Sequence, residues 1–274
     1  MAHRASEAEI ESATAYQEFF VPALFRQWAP QVIAAAQIQS GQRVLDVACG
    51  TGVLGREAAS RVGSTGSVAG VDPSGGMLAV AERLAPDIEW RQGTAESLPY
   101  ADESFEAVVS QFGLMFFTDR RQGIREMLRV LSPGGHLAVA VWDSLENTPA
   151  YADAVRVLDR VAGQRAADAL RAPFSLGDRN ELATLFAELG LTSLEITTRH
   201  GTAQFPSIRT MVEADLRGWL PVVGVVLSED LIARILNEAE HALSRYVTAQ
   251  GRVAFDAPAH IVTGTKRVVS PGAV

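Results

Sequence analysis

The chain has 274 residues, enough for one large α/β domain with an appendage or for two small domains. Its 47% hydrophobic and 20% charged content excludes disordered, collagenous and coiled-coil classes, and a single cysteine, Cys49, excludes an intramolecular disulfide or a cysteine-built metal centre. With 24 basic against 32 acidic residues the formal charge is −8 and no Lys/Arg run is present, which argues against a nucleic acid partner.

The apolar runs 137–142 and 222–227 fall far short of the ~20 residues that span a bilayer, and the charges scattered through residues 1–20 do not read as a signal peptide. A cytoplasmic protein with no metal site is expected.

Taken in chain order, residues 1–42 read as an N-terminal helical cap: Phe19, Phe20, Leu24 and Trp28 recur at helical spacing, with Pro22 and Pro30 expected to interrupt the run. From residue 43 short apolar strands alternate with amphipathic helices, the pattern of a parallel sheet built from βαβ units. Strands are predicted at 43–48, 67–72, 87–92, 105–111 and 135–142, and helices near 54–62, 75–84 and 120–131.

The helix ending at Leu131 has the apolar stripe Ile124, Met127, Leu128 and Leu131, and the run Ser132-Pro133-Gly134-Gly135 is expected to end it. Further on, helices are predicted at 148–162 and from Asp178 to Gly190, then a strand over 193–205. Pro206 opens a helical stretch, and Ser228 caps another with the stripe Leu231, Ile235, Leu236, Ala239, Leu243, Tyr246 and Val247. A last strand is predicted over 260–268.

The segment VLDVACGTGVLG, residues 44–55, is the richest in chemistry. A buried strand runs into Gly50, Gly52 and Gly55 and then a helix, a turn that lets backbone approach a ligand closely. Asp72 follows about 20 residues later, as a dinucleotide fingerprint also requires. Asp46, however, is a carboxylate inside the apolar strand, costly there unless it meets a polar ligand or backbone donors. No hydride-transfer set of Tyr/Lys or His/Arg can be placed for an NAD(P)-dependent oxidoreductase, and nothing near Cys49 would make it a nucleophile.

Five blocks extend this reading: DVACGTG (46–52), VDPSGGML (71–78), GTAESLPYADESFEAVV (93–109), QFGLMFF (111–117) and REMLRVLSPGGHLAV (125–139). Together they resemble the class I S-adenosylmethionine-dependent methyltransferases, in the branch that includes the ubiquinone and menaquinone biosynthesis enzymes and many small-molecule methyltransferases. The resemblance covers residues 43–142 strongly and the remainder weakly.

The resemblance implies a Rossmann-like, seven-stranded, mostly parallel sheet in the order 3-2-1-4-5-7-6, the last strand antiparallel. It implies that Asp46, Ala48 and the Gly50–Gly52 turn hold the methionine part of S-adenosylmethionine, and that Asp72, followed by Pro73, binds both ribose hydroxyls. Met77 lies against the adenine. Gly93, Thr94, Ala95 and Glu96 form the loop beneath it, Thr94 standing where the family usually has an Asp, and Gln111 is a further cofactor neighbour.

The resulting division is a cap at 1–42, a core at 43–205, a helical lid at 206–258 over the mouth of the site, and a final strand and tail at 259–274. His260 and Asp143, at strand ends on the ligand side, are the candidate proton acceptor or acceptor-orienting residues. The aromatic residues Phe20, Trp28, Phe112, Phe116, Trp142 and Trp219 are expected to wall a pocket for a small apolar or aromatic methyl acceptor. A monomer or homodimer is expected; the competing readings are the oxidoreductase and a non-catalytic, methyltransferase-like partner subunit.

Overall fold

The structure is a computed structural model that describes residues 5–187 and 189–268. Its strands are β1 (Arg43–Val47), β2 (Ser67–Asp72), β3 (Glu89–Gln92), β4 (Phe105–Gln111), β5 (Leu131–Trp142), β6 (Leu191–Arg199), β7 (Thr202–Phe205), β8 (Val253–Asp256) and β9 (Ala259–Lys266). Seven of them form one sheet in the order β3-β2-β1-β4-β5-β9-β6, in which β9 runs antiparallel to both β5 and β6. Since β9 is the last strand of that sheet, this is the order and sense that the motifs imply. The fold is the Rossmann-like arrangement expected.

Right-handed crossovers need helices on both faces, and the sequence supplies amphipathic ones. Helices α1 (Glu7–Ala15) and α2 (Ala29–Ala35) belong to the N-terminal cap, and α3 (Val53–Val62), α4 (Gly75–Leu84) and α5 (Arg120–Val130) connect the first five strands. After β5 come α6 (Pro149–Ala162), α7 (Gln164–Arg171) and α8 (Arg179–Phe186); α9 (Ile208–Glu213), α10 (Leu220–Val222) and α11 (Glu229–Ala242) follow β7. α5 shows the rule: Asp119 caps it by accepting from the Gln122 amide at 3.0 Å, and Ile124, Met127 and Leu128 turn inward.

Several elements depart from expectation for identifiable reasons. The Ser132–Gly135 run does not precede a strand; it lies inside β5 as a bulge, because Leu131 already pairs with Phe105 and pairing resumes at His136 with Ala107. Pro22 does not break the N-terminal helix: residues Tyr16–Phe25 form a π-helix, whose wider turn accommodates a residue with no N–H to give. Pro30 stands in the first turn of α2, where no N–H is needed.

The strand predicted over 193–205 divides at His200 and Gly201 into β6 and β7, and β7 pairs with β8 in a separate two-stranded sheet. The break sits where the chain passes Trp28: a Cβ on Gly201 would lie 2.4 Å from the indole. Gln27 then binds the next residue as a strand would, donating to the Thr202 carbonyl and accepting from its amide, both at 2.9 Å. The segment outside the main sheet is therefore 200–258, not 206–258. α7 and β8 had no separate sequence signal, α11 stops at Ala242 before the end of its predicted stripe, and β9 ends at Lys266.

This topology decides where a site can lie. Trp142 at the end of β5 pairs with Ala259 at the start of β9, and Arg199 at the end of β6 pairs with the same residue. Residues 200–258 thus leave and return at the carboxyl ends of the parallel strands, beside the glycine loop and Asp72, where open α/β sheets bind ligands.

Close packing of the loop depends on Trp90. Its indole donates to the Ala85 carbonyl at 2.9 Å, and a Cβ on Gly52, Gly55 or Gly70 would come within 2.5, 2.9 or 2.4 Å of the ring. Two glycines of the loop motif are thus required by a tryptophan from β3 as well as by the turn. Gly70→Ala is expected to destabilise the fold by about 1–3 kcal/mol through overpacking. Trp90→Leu in the same background should return part of that loss, measured by urea denaturation of the two single variants and the double.

Candidate functional site

The candidate site begins where β1 ends. Ala48 takes φ +58°, Gly50 +53° and Gly52 +80°, so three residues of the 48–52 turn lie in the left-handed region, and Ala48 does so against its side-chain preference. The Gly52 amide donates to the Cys49 carbonyl at 2.8 Å, closing the turn, and α3 starts at the next residue. Cys49 is buried and burial pushes its thiol pKa well up, so it is no nucleophile.

Asp72 ends β2 and ties the loops together: it accepts from the Gly50 amide at 2.8 Å through one oxygen and from the Ser74 amide at 2.9 Å through the other. Each carboxylate oxygen keeps a second acceptor site, as binding a vicinal diol requires. Burial raises the Asp72 pKa, opposed by these two amides.

Asp46 is different. It is 1% exposed and neither oxygen has a hydrogen-bond partner. Burial pushes its pKa up to about 8; the Gly55 amide opposes this from outside hydrogen-bonding geometry, Asp72 adds to it, and Arg56 opposes it. An orphaned buried carboxyl is an unfavourable arrangement unless a cationic group completes it.

Tyr16 roofs both acids. Burial, then the charges of Asp72 and Asp46, raise the pKa of its phenol, and its ring stacks on Phe25 at 5.3 Å. Gln17, next to it, accepts from the Thr51 hydroxyl at 2.7 Å. Arg56 donates to the Thr51 carbonyl, and burial and the nearby Arg26 lower its pKa. These cap residues carried no motif; only the packing of the π-helix over the loop brings them in.

The remaining cofactor positions divide. Met77 opens α4, its amide donating to Ser74, and its side chain reaches the cavity described below. Pro73 accepts from Gln92 at 2.9 Å, and Gly93 donates to the Asp72 carbonyl at 3.2 Å, so the second and third loops are bonded to each other. Thr94 makes a bridge with Ser97 and Ala95 is buried. The Glu96 carboxylate accepts from the Thr118 and Asp119 amides at 2.7 and 3.2 Å, a loop tie rather than an open ligand group. Gln111 donates to the Phe25 carbonyl at 3.2 Å and leaves its own oxygen unpartnered.

Beside these loops is a cavity, open at its mouth, that Phe20, Phe112, Phe116, Trp142 and Trp219 line together with Met77. Phe112 stacks on Trp142 at 3.8 Å and 11°, and Phe116 meets Trp219 at 5.0 Å. Phe112 reaches this pose through φ +58°. Trp28 does not line the cavity; it is fully buried behind the wall, edge-on to Phe112 and Trp142 at 5.9 and 6.1 Å, because the T-shaped contact fills the space between α2 and the sheet. Phe25, an aromatic of the cap, also lines it, as do Tyr16, Tyr151, Phe174, Thr148 and Asp215, which were missed in the sequence.

His260 and Asp143 are together but elsewhere, 3.2 Å apart in a separate polar recess that Thr198 and Arg179 also line. His260 Nε2 also contacts the Gly177 carbonyl at 2.9 Å, and Nδ1 contacts the Thr198 hydroxyl at 3.0 Å. A proton on Nε2 satisfies both nitrogens, the hydroxyl donating to Nδ1. Asp143 accepts from the Ser144 amide at 2.6 Å. The structure does not bring this pair to the aromatic cavity. Among the described residues no cluster of metal-ligating side chains exists, and no helix is long and apolar enough to cross a membrane.

Residues 44–135 match the family model described as a methyltransferase domain. Residues 44–135 are therefore a methyltransferase domain by similarity, set in a Rossmann-like fold. Over 115 residues that domain is 44% identical to the demethylmenaquinone methyltransferase of Renibacterium salmoninarum, covering 42% of this chain and 47% of the relative. It is 38% identical over 119 residues to the 2-phytyl-1,4-naphtoquinone methyltransferase of Thermosynechococcus vestitus, covering 42% and 53%.

The match spans about half the length of these curated relatives. The fold is also that of Haemonchus contortus phosphoethanolamine N-methyltransferase 2, solved with S-adenosylhomocysteine, at TM-score 0.60 and 17% identity over 94% of this chain and 58% of that one. Neither the oxidoreductase reading nor the non-catalytic one finds support in these similarities.

The residues present fit the cofactor of this domain. Asp46 offers orphaned oxygens to a cationic amino group, and Asp72 offers free acceptor sites to a diol. An Asp46 pKa of about 8 lies above the ~4 of an unfolded carboxyl, so between these values the unfolded chain has lost a proton the fold retains, and the ligand-free fold loses stability as pH rises through that window.

Asp46→Asn should therefore raise the ligand-free melting temperature at pH 7.5 by roughly 2–4 °C. The same variant should bind S-adenosylhomocysteine at least about tenfold more weakly. Calorimetry in buffers of different ionisation enthalpy should show the native chain releasing close to ~1 proton on binding at pH 7; the variant should lose most of that release.

Proposed function

We propose that the protein transfers the methyl group of S-adenosylmethionine to a small, uncharged aromatic acceptor of the quinol or phenol type. The observation that carries the reading is the nearness of two unlike sets of groups: the orphaned Asp46 and the diol-ready Asp72 on β1 and β2, and an aromatic cavity lined by Met77 and by Tyr16, whose phenol feels the charge of both acids. The quinone substrates named for the relatives of the domain support the same acceptor class.

When bound, the cofactor supplies an electrophilic methyl on a positively charged sulfur. The chain's residues do the rest by position. Asp46 pairs with the amino group of the methionine part, Asp72 fixes the ribose, and Met77 packs on the adenine, which together leave the methyl little freedom. Arg56, near enough to Asp46 and Arg26 to feel both charges, is the cation available to the methionine carboxylate. The Phe112–Trp142 stack and the residues of the 200–258 segment exclude water and present a flat acceptor.

His260 and Asp143 serve in this reading as a buried tie between β9 and the loops after β5 and α7, not as the proton acceptor. Placement in the cytoplasm belongs to the same proposal and rests on the sparing use of cysteine in the sequence.

Purified protein should bind S-adenosylmethionine and S-adenosylhomocysteine but neither NADH nor NADPH in calorimetric titration. Asp72→Ala should weaken adenosyl-ligand binding by about 100-fold, since two charge-assisted hydrogen bonds are lost. Transfer of a labelled methyl group to 1,4-naphthoquinol should be detectable and should fall in step. Binding of a nicotinamide cofactor alone would sink the reading.

A further inference from the structure

Among the described residues that line the aromatic cavity, one is an acid. Asp215 lies in the π-helical stretch Ala214–Trp219 that joins α9 to α10, is 3% exposed, lines the cavity, and has no hydrogen-bond partner for Oδ2. Thr148 lines the same space, 1% exposed, with its hydroxyl also unpartnered. The Tyr151 hydroxyl, from α6, interacts with the Asp215 carboxyl, which raises the phenol's pKa on top of burial. Polar groups from α6 with its cap and from the Ala214–Trp219 stretch therefore meet inside a wall that carries nine aromatic side chains.

Buried polar groups without partners are costly, and a lid packed only for stability would place apolar side chains here. Among the described residues no Lys, Arg or His lines the cavity, so none of them balances a carboxylate charge there. Burial correspondingly holds Asp215 well above the usual carboxyl range, the Tyr151 hydroxyl opposing it. A protonated carboxyl both donates and accepts a hydrogen bond, and it complements an uncharged oxygen function rather than an ammonium ion.

We propose that Asp215, flanked by Tyr151 and Thr148, is the polar anchor of the acceptor cavity: it holds a hydroxyl or carbonyl oxygen of an uncharged aromatic acceptor and so sets which atom of the ring is presented to the cofactor. The inference rests on the methyl-transfer reading for the reaction, but the anchoring itself is a binding property and can be measured without turnover. It makes Asp215 a positioning residue; no proton transfer is assigned to it.

The test uses the full chain saturated with S-adenosylhomocysteine and two probes of nearly the same shape, 1-naphthol and naphthalene, with binding followed by quenching of Trp142 and Trp219 fluorescence. The native protein should prefer 1-naphthol by about tenfold, the worth of one well-made buried hydrogen bond. Asp215→Leu should bring the two probes to within about twofold while naphthalene still binds, and Asp215→Asn, which keeps a donor and an acceptor, should retain most of the preference. Tyr151→Phe, which removes only a hydroxyl, should cut it about threefold.

An equal affinity of the native chain for both probes, or a preference that survives Asp215→Leu, overturns the anchor. Tighter binding of (1-naphthylmethyl)trimethylammonium than of 1-naphthol, abolished by Asp215→Asn, overturns the uncharged class. Failure of S-adenosylhomocysteine to bind counts against the methyl-transfer reading instead, and the two-probe comparison repeated without it still decides the anchor.

Discussion

Burying a carboxylate at the centre of a parallel sheet is costly, and the surroundings of Asp46 can be traced to that cost. Asp46 pairs in register with Gly70 on one side and Val109 on the other, so it sits on a central strand and is 1% exposed. The Gly55 amide and Arg56 supply an opposing field, and Tyr16 lies against both acids from the cap. Asp72 is better served, with two amides, because it stands at the end of its strand where loops supply free N–H groups. The site is thus built from polar groups left incomplete to different degrees, which is how a protein stores selectivity for a ligand that completes them.

Around that centre the chain uses aromatic packing where other sites use polar walls. The Tyr16, Phe25, Phe112 and Trp142 rings form a connected series from the cap to the ends of β4 and β5, with centroids between 3.8 and 5.9 Å. Trp28 braces it from behind and at the same time forces the break at Gly201. One residue of the cap therefore shapes both the cavity wall and the point at which the 200–258 segment leaves the sheet. Its edge strand is then held by Gln27, which replaces a β-partner with a side-chain amide.

How much was legible in the residues varies with the range of the interaction. Strands β1, β2 and β4, helices α3 to α5 and the Gly50–Gly52 turn are local patterns of alternation, amphipathicity and left-handed backbone, and they read correctly. Asp215 also left a trace: Ile208, Met211, Val212, Leu216 and Trp219 make an apolar stripe, and Asp215 occupies a position on its buried face. A carboxylate on that face is the same anomaly that marked Asp46, but without a neighbouring motif it went unread. Tyr16, Thr148 and Tyr151 left no comparable trace, since each is an ordinary member of a helix or its cap until another element covers it.

By itself the sequence determined the strand–helix alternation and the glycine turn, because these depend on residues within a few positions of one another, and its motif blocks carried the family resemblance that implied the sheet order and the cofactor. Only the tertiary structure decided that His260 and Asp143 turn away into a separate recess, that Trp28 stands behind the wall and not in it, and that an acid from the 200–258 segment faces a phenol from α6. Those outcomes depend on which way side chains point once segments tens of residues apart are docked, and a one-residue change of register in a strand reverses that direction.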